Sequence, residues 1–110
     1  MIDETISQIE SKLKDASSIN EESRQELARL LATLKAEITE LSKTHAEQAQ
    51  SIAGFTQTST HEAIREEKNP ELLELSLKGL ATSVDGFEKS HPRLVQLVNR
   101  ICTTLWNIGI

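Results

Sequence analysis

A chain of 110 residues with 37% apolar and only 3% aromatic side chains makes one domain with little bulky material for a core, so self-association is expected to complete it. Twelve basic against seventeen acidic residues give a net charge of -5, which repels a phosphate backbone and argues against nucleic acid as a partner. The single cysteine excludes an internal disulfide, no apolar run nears the roughly 18 residues of a spanning helix, and no basic-apolar signal region leads the chain, so a cytoplasmic location is expected.

Ile2, Ile6, Ile9 and Leu13 follow a 4-3-4 spacing that predicts a first helix over 2–16, broken by Ser17 and Ser18. Ser18 with Glu21 makes a capping-box pattern, and Asn20 is an equally good N-cap. Leu27, Leu31, Leu34, Ile38 and Leu41 then alternate steps of four and three, the seam of a long second helix over about 19–53. Glu26 with Arg29 and Glu40 with Lys43 lace its solvent side. Beyond Leu41 the seam meets His45, Gln48, Ile52 and Phe55, turning polar before two apolar residues return.

Gly54 and the Thr and Ser of "GFTQTSTHEAIREEKN" disfavour helix, which predicts a polar connection over about 54–68. Asn69-Pro70-Glu71 starts a third helix over about 70–89, with Leu73, Leu77, Leu80, Val84 and Phe87 on its seam and Leu72 and Leu75 outside it. Ser90-His91-Pro92 interrupts that helix, and Ser90 is expected to cap a fourth helix over about 91–108, which Gly109 stops. No internal repeat or interdomain linker is read.

The expected fold is all-α: an antiparallel helical hairpin or bundle with coiled-coil-like seams. Its long helix packs against the third and fourth, the first covers one end, and a homodimer completes it. At 100° per residue, Leu94, Leu97, Val98, Ile101, Leu105 and Ile108 form the core stripe of the last helix, and Val95, Cys102 and Trp106 a neighbouring shoulder. That shoulder is expected to meet a second helix, from the other protomer or from the first helix. The charge is uneven as well: residues 1–88 carry nine basic and seventeen acidic side chains, whereas Lys89, Arg93 and Arg100 face no acid in the remainder.

The ending "FEKSHPRLVQLVNRICTTLWNIGI", with "INEESRQELARLLATLKAEI" nearer the start, resembles a family of short bacterial proteins known only as a domain of unknown function. Phe87, Glu88, Ser90, His91, Pro92, Leu94, Asn107, Gly109 and Ile110 match its Phe-Glu, Ser-His-Pro and Asn-x-Gly-Ile pattern, and the polar stretch 46–68 reads as longer than that pattern. The resemblance implies a small helical protein and supplies no activity, ligand or catalytic residue.

Glu88 and His91 have the Glu-x-x-His spacing of di-metal bundles, but the second such pair is missing, so Phe87, Glu88, Ser90, His91 and Pro92 read as a structural motif. Ser90 beside His91 lacks a third group to orient a base, and Cys102 lacks a cationic setting. His45 on a leucine seam marks a wetter layer. No catalytic, cofactor or metal residue is assigned. The expected role is a non-enzymatic self-association or adaptor protein, ahead of a peripheral membrane binder using the amphipathic last helix and, third, a metal-dependent enzyme.

Overall fold

The computed structural model describes residues 2–110 as five helices, α1 (Ile2–Asp15), α2 (Glu21–Leu41), α3 (Ala46–Ile64), α4 (Pro70–Ser83) and α5 (Pro92–Gly109), and the described residues contain no strand. The all-α expectation therefore holds. The helix expected over 19–53 is two helices, α2 and α3. Leu41 accepts the amides of both Thr44 and His45, and His45, at φ −135° and ψ 62°, turns the chain into α3. The polar connection expected over 54–68 is the second half of α3, and only residues 65–69 connect it to α4.

Helix propensity misleads in α3 because its Thr and Ser side chains are used for packing. Thr56 and Thr58 turn their hydroxyls back onto the carbonyls of Ile52 (2.7 Å) and Gly54 (3.1 Å), whereas the buried hydroxyls of Ser59 and Thr60 make no hydrogen bond. Ala49, Ala53, Thr56, Ser59, Thr60 and Ala63 are buried along its length. With such short side chains facing inward, neighbouring helices come close, and α3 alone touches all four others.

The first helix lies along α2 and α3 rather than over one end, with Ile6, Ile9 and Leu13 buried. Its C-terminal carbonyls need partners, and Arg24 provides them: the guanidinium donates to Leu13, Lys14, Ala16 and Ile19 oxygens. Asn20 is the N-cap of α2, accepting the Ser23 amide at 2.8 Å, while Ser18 donates to the Ile64 carbonyl at 3.0 Å and so ties the α1–α2 turn to the end of α3. Asn69 caps α4 in the same way.

The third predicted helix stops at Ser83, short of residue 89, because Gly86 takes a left-handed φ of 93°. The Glu88 carboxylate accepts the Gly86 amide at 3.0 Å and holds that turn. Of the expected packing, α2 lies on α5 but does not touch α4, and α1 does not touch α5.

An internal repeat, unrecognised in the sequence, emerges from the packing. At an offset of 46 residues, Leu27, Leu31, Leu34, Ile38 and Leu41 of α2 pair with Leu73, Leu77, Leu80, Val84 and Phe87, and all ten are buried. Thr44-His45 pairs with Ser90-His91, and the two histidines share one backbone conformation, φ −135° and −138° with ψ 62° in both. Each histidine amide donates to the carbonyl four residues back at 2.8 Å, from Leu41 in one case and Phe87 in the other. The contacts are exchanged accordingly: α2 rests on α5, α4 rests on α3, α3 meets α5, and α2 and α4 stay apart. The likeness is close for α2 and α4 and the turns that follow them, whereas α5 buries Leu94, Leu97 and Ile101 where α3 exposes Gln48, Ser51 and Phe55.

Gly109, expected as a helix stop, is the buried last residue of α5, where it meets α3 and α4. A Cβ there would overlap Leu73 Cδ2 and lie 3.1 Å from Ala63 Cα, whereas a Cβ on Gly54 meets nothing within 4 Å. Gly109→Ala is therefore expected to destabilise the fold by about 1–3 kcal/mol through overpacking, and Gly54→Ala to stabilise it by about 0.5–1 kcal/mol. Urea denaturation of the two variants beside the native chain checks both signs.

Candidate functional site

The two helix-starting histidines converge. His45, Phe87 and His91 form a closed set of edge-to-face rings, with centroids 5.5 Å apart for His45–Phe87, 5.3 Å for Phe87–His91 and 6.0 Å for the two histidines. Each imidazole is oriented by the hydroxyl before it: Thr44 Oγ1 lies 2.8 Å from His45 Nδ1, and Ser90 Oγ lies 2.9 Å from His91 Nδ1. The cluster joins the turn between α2 and α3 to the turn between α4 and α5.

This geometry accounts for the Phe-Glu, Ser-His-Pro residues. Phe87 is the buried ring between the histidines, and Glu88 is engaged with Gly86. Ser90 orients His91 instead of capping α5: the N-cap position belongs to His91, which makes no side-chain capping bond, and Pro92 starts the helix. Among the described residues, no three His, Cys, Asp or Glu side chains converge as a metal set would require. His45, read as a wetter seam position, is the partner of His91. The matching hydroxyl-histidine pairs were the available signal.

Val95, Cys102 and Trp106 are half-buried and pack against the main core. Cys102 Sγ lies 3.9 Å from the Leu77 carbonyl, so the helix beside this shoulder is α4 of the same chain. Burial pushes the Cys102 thiol up to about 11 from an ordinary 9.0. The bundle exposes 6519 Å², close to the roughly 6,100 Å² expected for a monomer of this mass, so five helices cover a core that two hairpin arms could not.

A second surface feature, to which the sequence contributed Leu72 and Leu75 as residues outside the seam but not Phe55, lies on the other side of α4. Leu72, Leu75 and Phe55 are exposed by 42%, 66% and 42%, and they neighbour one another across the groove between α3 and α4. The Phe55 ring occupies the space above Gly79, where a Cβ would strike it. Leu72, Leu75 and Gly79 recur at helical spacing on the face opposite the α4 seam, so this helix is apolar on two sides. Glu71, Glu74 and Lys78 border the strip.

The raised thiol has a measurable consequence. At pH 8 the folded chain should hold about 100-fold less Cys102 thiolate than the unfolded chain, and iodoacetamide should label it correspondingly slowly. Since the folded pKa is the higher one, this group's contribution to stability is complete below pH 9.0 and declines as pH rises through about 11. Labelling native and urea-unfolded protein side by side checks the first statement, and urea midpoints for native and Cys102→Ala chains between pH 8 and 11 check the second.

No curated protein and no solved structure matches the chain. A sequence family does match, over a range that begins within α2, leaving α1 outside, and takes in the whole of α3, including the stretch that had read as longer than the pattern. Residues 30–110 match the family described as a domain of unknown function (DUF4404), and the chain belongs to that family.

Proposed function

We propose that the protein is a non-enzymatic self-association and adaptor module of the cytoplasm, and that its homodimer forms through the Phe55–Leu72–Leu75 strip. The observation that carries this reading is the exposure of three large apolar side chains on one continuous face, in a chain whose other large apolar residues are, Ile110 apart, buried or half-buried among the described residues. The surroundings favour a second copy as the occupant. A two-fold axis beside Leu75 sets α4 against α4 of the partner in opposite directions, which brings Lys78 of each chain toward Glu71 and Glu74 of the other.

In this reading the histidine cluster is structural: it fixes the angle between the hairpins and so the shape of the strip. Light scattering of the native chain at micromolar concentration should give the mass of two chains, and Leu75→Glu should give one with an unchanged helical circular dichroism spectrum. A native mass of one chain across that concentration range would sink the proposal.

A further inference from the structure

Gly79 is a costly residue where it stands. It lies in the interior of α4 with an ordinary helical backbone, Gly86 being the glycine at positive φ, so neither a turn nor a cap accounts for it. Glycine at such a position weakens a helix relative to alanine. The neighbour that does account for it is Phe55, whose ring rests on the bare backbone of α4: a Cβ on Gly79 would overlap Phe55 Cδ1 and Cε1 and lie 3.1 Å from Cζ. The contact does not bury the ring, which stays 42% exposed.

The equivalent place in the other half of the chain does without the glycine. At the offset of 46, Gly79 answers to Thr33 of α2 and Phe55 to Ile101 of α5. Thr33 is β-branched and exposed, with its hydroxyl on the Arg29 carbonyl at 3.2 Å, and Ile101 is fully buried. Leu72 and Leu75 answer to Glu26 and Arg29, which pair with each other, and Glu26 also accepts from Arg100 at 3.1 Å. The groove between α2 and α5 is therefore bordered by ion pairs. Its counterpart between α3 and α4 has the apolar strip, the outward ring and the glycine beneath it.

We infer that Gly79 is a positioning residue for self-association: by letting the Phe55 ring lie against α4, it gives the strip the shape on which a second copy closes. This rests on the strip being the dimer interface, as proposed above. A methyl group at position 79 moves the ring and not the helices, because α4 is anchored by buried Leu77 and Leu80 and α3 by buried Ile52 and Thr56. The displaced ring then stands above the leucines. With Leu75 at the two-fold axis, position 79 of each chain faces the first turn of α4 in the other, so Leu72 there has to fit against the ring. A raised ring holds the two helices apart and spoils that fit.

The test is a double-mutant cycle on the full chain, with the dimer dissociation constant measured by sedimentation equilibrium up to about 1 mM chain. Gly79→Ala should raise that constant about tenfold or more and leave the helical circular dichroism spectrum unchanged, although the substitution favours the helix. In a Phe55→Ala background, where there is no ring to displace, the same change at position 79 should alter the constant by less than about twofold. A residue that merely supported α4 would act equally in both backgrounds. A native dimer that Leu75→Glu dissociates but Gly79→Ala leaves as tight as before, or tighter, overturns this inference and leaves the interface standing. Equal weakening with and without the Phe55 ring also overturns it, since Gly79 would then act through α4 alone. A native mass of one chain overturns the interface and this inference together.

Discussion

A helix can touch four others only if its own side chains are short, and the whole arrangement depends on α3 meeting that condition. Its interior face is built from Ala, Ser and Thr, with Ile52 as its one large buried aliphatic residue. The bulk that fills the core comes from the leucines and isoleucines of the surrounding helices, which interdigitate against a nearly smooth surface. At its far end the same logic brings the last turn of α5 onto Ala63, where only a glycine fits. A core poor in aromatic residues is therefore filled by proximity rather than by volume.

The histidine cluster solves a second problem, how to start α3 and α5 where no Ser, Asp or Asn occupies the N-cap. Both starts use a histidine whose backbone carbonyl opens the helix and whose ring is anchored by a preceding hydroxyl. Because the two rings share Phe87, the two turns are held against each other. Sequence motif and tertiary contact are one device here: Ser-His-Pro fixes a backbone turn, and the imidazole it orients joins that turn to its equivalent.

Much of this was legible in the sequence because apolar spacing reports directly on burial. The stripes of α1, α2, α4 and α5 are buried as their periodicity requires, and Asn20 and Asn69 cap where their side chains suggest. Helix α3 was illegible because its buried face is polar in composition, so the period is carried by side-chain size instead of hydrophobicity. The repeat was hidden for a related reason. Only nine of the 44 paired positions between 21–64 and 67–110 are identical, and the small face of α3 answers to Val95, Cys102 and Trp106 on α5. Leu72 and Leu75 already stood outside the seam, but Phe55 lay on its continuation and is nonetheless 42% exposed, since exposure depends on where a helix lies and not on which residues it holds.

The connection over 65–69 acquires a particular meaning once α2–α3 and α4–α5 are seen as two similar hairpins. Two hairpins that bury their faces against one another are in effect the halves of a dimer, and five residues of chain hold them together. A short tether replaces a bimolecular encounter by a local one, with an effective concentration in the millimolar range, and makes assembly indifferent to dilution. It also releases the halves from sameness. Separate chains of one sequence must carry each substitution on both sides of their axis, whereas tethered halves can give one side the small residues and the other the large ones, and can leave one outer face sheltered and the other open.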